Sequence, residues 1–188
     1  MFFDELDQFL DAFRTRKIAH SEEKTHQEEE DIIDELLDLY LLAFWEGSKD
    51  AGKELMMEVE PSVSKAEEVI NKPIDGKTFR DRVHEYLNGD MGDTTGTPVE
   101  AIARVAETDS VRIYNEAKLI TGKENGATIK TWHTMEDWKV RDTHTVLNGV
   151  TVPIDGYFYT YTGAKTLAPS QFGIASEDVN CRCWLTVK

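Results

Sequence analysis

Hydrophobic residues recur at steps of three and four through the first part of the chain, which is the spacing of one face of an α-helix. The first run has apolar positions at Phe2, Leu6, Phe9, Leu10 and Phe13. A second, broader run is made of Ile32, Ile33, Leu36, Leu37, Leu39, Tyr40, Leu41, Leu42, Phe44 and Trp45. Because its apolar face is wider than one stripe, this helix is predicted to pack on more than one side. We expect it to continue to Val59 and to end at Pro61.

Two shorter helices are predicted over residues 62–72 and 78–88, on either side of the turn sequence KPIDGKT. The stretch NGDMGDTTGTP follows and predicts a loop, because it is rich in Gly, Asp and Thr. A long helix then begins at a capping box formed by Thr97 and Glu100, with a proline in its first turn. Gly122 is expected to cap the C-terminal end of this helix.

The pattern changes after Gly126. The stretch ATIKTWH predicts a strand, and TMEDWKVRDTHTVL predicts a short helix capped by Thr134. The Asn-Gly pair at 148–149 predicts a tight turn, and VTVPI, YFYTYT and CRCWLTV are typical of strands. The fold class is therefore predicted to be α+β. A helical N-terminal region precedes a small α+β C-terminal domain with a short, mostly antiparallel sheet.

We expect this organisation to divide the chain at residue 73. Residues 1–73 would be a helical partner-docking region, and residues 74–188 a domain made of helices over 78–122 and a compact α+β tail over 126–188. With 40% hydrophobic residues, the 188-residue chain can bury a core. No apolar stretch approaches the ~20 residues of a membrane span, and the acidic start MFFDELDQFL lacks the basic region of a signal peptide. The protein is therefore expected to remain in the cell that makes it.

The net charge of −15 is concentrated at the front of the chain. Residues 1–60 contain 18 acidic against 6 basic residues, whereas residues 129–188 contain 6 of each. Acidic side chains repel phosphates, so direct DNA binding by the front third is not expected. A solvated helical face is the simpler interpretation, and a basic protein surface or a second copy of the chain is the expected partner. Four apolar residues of the second helix are expected to contact it: Leu37, Leu41, Phe44 and Trp45.

The tail concentrates the residues with candidate chemistry. On the predicted short helix, Asp137, Arg141 and His144 stand at i, i+4 and i+7 and therefore share one face. An acid, a cation and an imidazole are the groups of general acid–base catalysis. An enzyme of ribonuclease or transferase type would use His144, Arg141, His133 and Arg182. The sequence contains no serine nucleophile motif, phosphate-binding glycine loop or Glu-x-x-His pair, so no catalytic residue is assigned.

A structural role is the alternative for the same residues. In it, Arg182 faces away from the two cysteines beside it and reaches Asp137 or a partner. The predicted structural polar cluster comprises Asp137, Arg141, His144, Asn180 and Arg182.

The chain has only two cysteines, Cys181 and Cys183. A disulfide between them is disfavoured, because residues i and i+2 of a strand hold their Cβ atoms beyond bonding distance. A zinc site would combine them with His133 and His144, although this spacing is not that of a standard zinc finger. A packed core edge is favoured, because free cysteines are among the most buried residues. On that interpretation no metal ligand is assigned.

Four stretches occur in the order VAETDSVRIYNEA, KTWHTMEDWKVRDTHTVLNG, PIDGYF and NCRC. In this set and order the sequence resembles the phage head morphogenesis family, the minor head proteins similar to protein F of phage Mu. The resemblance covers about residues 78–188. Asp109 replaces the glutamate more usual in the family and keeps its charge. The positions that match the family pattern are Thr108, Asp109, Asn115, Lys130, Trp132, Asp137, Val140, Arg141, His144, Leu147, Asn148, Gly149, Asn180, Cys181, Arg182 and Cys183.

The resemblance implies a component of the virion or the procapsid interior, present in the host cytoplasm during assembly. Such a protein would act without catalysis in head assembly at the portal vertex and in DNA packaging or delivery. Its implied partners are the portal protein and other head proteins, with self-association through the N-terminal helices. No cofactor and no membrane are implied. In some relatives this domain is joined to toxin-like or enzymatic modules, and none is recognised in this sequence. The alternative is a nuclease or ADP-ribosyltransferase-like enzyme that uses the His/Arg cluster of the C-terminal domain.

Overall fold

The computed structural model describes residues 2–16, 26–90 and 96–188. Within these ranges, no helix is both long and apolar enough to cross a membrane. The predicted loop after the fourth helix includes residues 91–95, which lie outside the described residues. The helices of the N-terminal part are α1 Phe2–Arg14, α2 His26–Glu54, α3 Val63–Ile70, α4 Phe79–Leu87 and α5 Pro98–Glu124.

Side-chain caps fix where two of these helices begin. Thr97 Oγ1 accepts the Glu100 N–H at 3.3 Å, and the Glu100 carboxylate accepts the Thr97 N–H at 2.7 Å. Thr78 and Asp81 form the same reciprocal pair at the start of α4. Each box satisfies two backbone donors that have no partner inside the helix. The capping box predicted for α5 is therefore confirmed.

Two predicted helix ends differ from the structure. α2 ends at Glu54 and does not continue to Val59, because the chain turns at Met56, whose φ is 57°. α5 passes through Gly122 and is capped by Asn125. Gly122 is therefore not a cap. A Cβ on Gly122 would lie only 3.1 Å from the Val187 side chain, so the glycine permits close packing of the last strand on α5.

The tail forms two small antiparallel sheets. A three-stranded sheet has the order β2-β1-β5, in which Trp132 of β1 pairs with Leu185 of β5. The other sheet is the hairpin of β3 and β4. A helical N-terminal region followed by short antiparallel sheets confirms the predicted α+β class. The elements are β1 Ile129–His133, α6 Asp142–Thr145, β2 Thr151–Pro153, β3 Phe158–Tyr159, β4 Lys165–Thr166, α7 Ala175–Asp178 and β5 Trp184–Val187.

The short helix predicted from Thr134 to residue 147 is wrong over most of its length. Only α6 is helical, and residues 134–141 form an irregular loop. Glu136 has a φ of 53°, which a right-handed helix cannot contain. The Asp137 carboxylate accepts the Lys139 N–H at 3.0 Å, a local turn that competes with helix formation. Asp137, Arg141 and His144 therefore do not share a helix face.

The hydrophobic core does not divide at residue 73. One cluster joins α1 to α5 and contains residues from both sides of that position, such as Phe44 and Ile102. α2 and α5 approach closely at Gly47, where a Cβ would lie 2.3 Å from the Tyr114 carbonyl oxygen. A second cluster lies beneath the sheet around Trp132. The helix α5 therefore contributes residues to both hydrophobic clusters.

β5 lies at an edge of the three-stranded sheet. On the side that does not pair with β1, its backbone forms hydrogen bonds with side chains of α2 and α5. Asn115 Oδ1 accepts the Leu185 N–H at 2.9 Å, and Asn115 Nδ2 donates to the Cys183 carbonyl at 3.0 Å. Glu54 Oε2 accepts the Val187 N–H at 2.8 Å. These contacts cover an edge that would otherwise offer free donors and acceptors to another chain.

Candidate functional site

His144, Cys181 and Cys183 converge in the core of the tail. Each sulfur lies 3.6 Å from His144 Nδ1. All three side chains are buried, at 1%, 1% and 3% exposure, and both cysteines are free. The predicted burial of the cysteines is confirmed, and their reduced state stays a prediction. They lie just before β5 rather than on it.

Aromatic rings and a carboxylate hold the imidazole in place. The His144 ring stacks on Phe172 at 5.4 Å between centroids and meets Trp132 edge to face at 5.4 Å. His144 Nε2 lies 3.1 Å from Glu177 Oε2, which also accepts a hydrogen bond from Thr143 Oγ1 at 2.8 Å. The Nε2 contact is at ion-pair distance but lacks the angle of a directed N–H hydrogen bond. The ring therefore has a stacked and an edge-to-face aromatic neighbour, and both of its nitrogens have a polar or sulfur atom nearby.

The two thiols differ in their ionisation. Hydrogen bonding from Cys183, followed by contact with His144, holds the pKa of Cys181 well below its usual value against the effect of burial. The shared hydrogen bond with Cys181, together with burial, raises the pKa of Cys183. The shifts have opposite directions, so Cys181 is the thiol of the pair that loses its proton more readily.

The predicted polar residues contact the segment around the cysteines, and two of them, Asp137 and Arg182, also pair with each other. Arg182 Nη2 lies 2.5 Å from Asp137 Oδ2, and this hydrogen bond lowers the pKa of Asp137. Arg141 donates to the Val179 carbonyl. The Asn180 N–H donates to Thr108 Oγ1 at 3.2 Å. The Asp137–Arg182 contact was predicted, and Arg141, His144, Asn180 and Arg182 border one small cavity.

His133 is separated from the other three candidate zinc ligands. Its Nε2 lies 2.8 Å from Thr186 Oγ1, and its ring stacks on Trp184 at 5.5 Å. Successive side chains of a strand point to opposite faces, so Trp132 faces the cysteines and His133 faces away. Burial lowers the pKa of His133. The four-ligand Cys₂His₂ set considered from the sequence is therefore not assembled, although three of its members are.

Two acidic residues beside the site have no signal in the local sequence pattern. Glu177 lies in α7 and contacts His144. Asp178 accepts the backbone N–H groups of residues 172–174 at 2.7–3.2 Å, and burial raises its pKa. Glu177 contacts His144 directly. Asp178 binds the loop before α7, and that loop places Phe172 against His144. Because that loop has no periodicity, sequence reasoning could not place it against His144.

A separate buried charge cluster lies between α4 and α5. Asp109, 2% exposed, forms ion pairs with Arg82 and Arg112 and lies 3.5 Å from the Tyr40 hydroxyl. Burial raises the pKa of Asp109, and the two arginines oppose that shift. Asp109, Arg82 and Arg112 border a cleft of about 520 Å³ that Asp178 also lines. Asp109 of α5 pairs with Arg82 of α4, so this charge cluster links the two helices.

The residues predicted to bind a partner are mostly covered by the chain itself. Phe44 is 1% exposed and belongs to the core, so packing within the chain takes the place of its predicted partner contact. Leu37 and Leu41 are half-buried against the same core, and Trp45 is half-buried. Leu42, which was not among the four, is the exposed leucine of this helix, at 36%.

Lys130 is buried under the sheet with no hydrogen-bond acceptor among the described residues. Its ammonium lies 5.6 Å from the centroid of the Phe158 ring. Burial lowers the pKa of Lys130 from its usual 10.5 to about 8. Between these pH values the unfolded chain binds a proton that the folded chain does not, so this residue makes the free energy of unfolding rise with pH.

We expect Lys130→Met to raise the free energy of unfolding at pH 7 by about 1–3 kcal/mol, because it removes a buried charge without an ionic partner. The rise in stability between about pH 8 and pH 10.5 should also flatten. Urea unfolding at a series of pH values measures both effects. Lys139→Met, at an exposed position, is the control and should change neither. Lower stability of Lys130→Met at pH 7 would contradict the prediction.

Comparison with known proteins places this arrangement in a family. A sequence model described as "Phage Mu protein F like protein" matches residues 66–186. The chain is also 33% identical over 143 residues to the NAD(+)–arginine ADP-ribosyltransferase EFV of Enterococcus faecalis. That match covers 61% of this chain but only 29% of the relative, so the chain spans less than a third of that protein's length. No solved structure matches the chain.

The family match includes α4, α5, the three-stranded sheet and the cysteine–histidine cluster, which is well over half of the chain. Every motif on which the resemblance was recognised lies inside it. The chain belongs to the phage Mu protein F-like family of phage head proteins.

Proposed function

We propose that this protein is a non-enzymatic minor head component that acts in head assembly at the portal vertex and in DNA packaging or delivery. The observation that carries the proposal is the family match over residues 66–186. Its expected place is the virion or procapsid interior, and its expected partners are the portal protein and other head proteins.

The chemistry of the cysteine–histidine cluster supports a role without catalysis. Arg182 and Arg141 are engaged by groups of the same chain, Asp137 and the Val179 carbonyl. His144 is 1% exposed, and the cavity beside it is only about 10 Å³. A space of this size holds about one water molecule, so no nucleotide or NAD can reach the imidazole.

The ADP-ribosyltransferase relative does not change this proposal. Its name describes a protein of which this chain matches only 29%. An activity can reside in any of its remaining parts, and function belongs to sites rather than to shared domains. The experiments below must therefore be able to detect ADP-ribosyl transfer.

We assign the partner contact to the exposed side of α2. Leu42 lies at its centre, one helical turn from the exposed Asp38 and two turns from the exposed Asp34. Leu41 and Trp45 lie at the margin of this surface. An apolar residue among carboxylates suits a partner whose surface is basic and carries an apolar pocket. This replaces Phe44 and Leu37 as primary contacts, because both are largely committed to the core.

We expect Leu42→Asp to abolish association of the chain with heads in the phage that encodes it. Heads are purified on density gradients, and the chain is measured in the head fraction by immunoblotting. Met56→Asp is the control, since it alters an apolar residue of 94% exposure outside α2 and should leave association intact. Retention of Leu42→Asp at the wild-type level would contradict the assigned surface.

The non-enzymatic part of the proposal is tested on the purified chain. Incubation with NAD, DNA and RNA should give no turnover. NAD consumption or nucleic-acid cleavage that is lost in His144→Ala would contradict the proposal and support the enzyme alternative. Heads that form and package DNA normally without the chain would contradict the assembly role independently of either result.

A further inference from the structure

We propose that His144, Cys181 and Cys183 bind one Zn²⁺ ion, with a water molecule as the fourth ligand. The site would join the segment before β5 to α6. This inference does not depend on the proposed head function, because it follows from the arrangement of three side chains.

The distances between the ligand atoms suit a tetrahedral ion. Zn–S bonds of about 2.3 Å and Zn–N bonds of about 2.0–2.1 Å separate the sulfur and nitrogen ligands by about 3.6 Å at a tetrahedral angle. Both cysteine sulfurs lie 3.6 Å from His144 Nδ1, and the three ligand atoms all lie within 4.8 Å of one another. An ion can therefore enter with little rearrangement of the side chains.

The outer contacts of His144 also match those of a metal ligand. A histidine that binds a metal through one ring nitrogen commonly donates the N–H of its other ring nitrogen to a carboxylate. This hydrogen bond fixes the tautomer of the ring. Glu177 lies 3.1 Å from Nε2 and is itself held by Thr143. Coordination through Nδ1 requires the proton to be on Nε2, where it faces this carboxylate. Without an ion, Nε2 is a buried nitrogen with no aligned hydrogen bond.

Charge balance favours zinc at this position. Zn²⁺ bound by two thiolates and a neutral imidazole has no net charge, so a buried site does not carry an uncompensated ion. Binding releases protons from the thiols that are not already ionised. Thiolate and imidazole ligands in tetrahedral geometry are typical of zinc.

The space beside the three ligands has room for a water molecule at the fourth coordination position. The cavity of about 10 Å³ is bordered by all three ligands and by Arg141 and Arg182. Its volume corresponds to about one water molecule, which excludes a larger ligand. The ion would therefore act as a structural link that stabilises the fold, and not as a catalytic centre.

Metal analysis of the purified chain tests the proposal. We expect about one zinc ion per chain by mass spectrometry after expression in zinc-supplemented medium, as for a site coupled to folding. Replacement by Co²⁺ should give the visible absorption bands of a tetrahedral ion and a thiolate charge-transfer band. His144→Ala and Cys183→Ser should reduce zinc to background.

Two further variants separate loss of a ligand from loss of folding. His144→Cys keeps a ligand at the same position and should retain zinc, although it alters packing as His144→Ala does. His133→Ala removes the histidine that faces away from the cysteines and should retain zinc fully. A folded wild-type chain that binds neither zinc nor Co²⁺ would overturn the proposal. Equal loss of zinc in His133→Ala and His144→Ala would also overturn it.

Discussion

Trp132→Ala is expected to lower the free energy of unfolding by about 3–5 kcal/mol, the cost of removing a large aromatic side chain from a core. The Trp132 side chain has no exposed surface. It meets Phe158 edge to face at 5.2 Å and lies 6.0 Å from Phe172, in addition to its contact with His144. The tail is small, so neighbouring elements cannot close over a cavity of this size.

Urea unfolding followed by circular dichroism measures this loss. The control is Trp138→Ala, because Trp138 is 89% exposed and lies in the loop that follows β1. Its removal should change the free energy of unfolding by no more than about 0.5 kcal/mol. A loss below about 1 kcal/mol for Trp132→Ala would mean that the tail core does not depend on this residue.

Asn115→Ala is expected to cost about 2–4 kcal/mol, because it leaves a buried donor and a buried acceptor of β5 without partners. Asn115 is fully buried in α5 and binds the Leu185 N–H and the Cys183 carbonyl. The last strand should therefore loosen from the helix before the rest of the protein unfolds.

Hydrogen exchange distinguishes this local effect from a general one. The Leu185 amide should lose most of its protection in Asn115→Ala, together with the fall in the free energy of unfolding. Asn71→Ala is the matched control, since Asn71 donates only to the Glu67 carbonyl at an exposed helix end. Unchanged protection of Leu185 would show that Asn115 does not hold the strand.

The elements that could be predicted are those encoded by neighbouring residues. The capping box of Thr97 and Glu100 and the strand around Trp132 depend on contacts or alternation within a few positions. The same logic failed for the helix predicted from Thr134. Its apparent helical spacing arises in a loop, where the Asp137 side chain binds the backbone locally. Asp137, Arg141 and His144 nevertheless meet the same segment, residues 179–183, through tertiary packing.

The contacts of the site that could not be predicted join residues that are distant in the sequence and follow no periodic pattern. Glu177 reaches His144 from a four-residue helix that has no periodic signal. The exclusion of His133 depends on which face of β1 points inward. Alternation along a strand separates His133 from Trp132, but only the packed structure shows which of them faces the cysteines.

The contact between Glu54 and Val187 has a consequence for synthesis of the protein. The two residues are 133 positions apart, and the same glutamate binds the Lys118 ammonium at 2.5 Å. Contacts so distant in sequence form slowly, because a long loop must close before they stabilise the fold. The front helices emerge from the ribosome long before β5 exists, so they must wait in an incomplete state. The contact of Glu54 with the Val187 N–H can therefore form only after Trp184–Val187 has been synthesised.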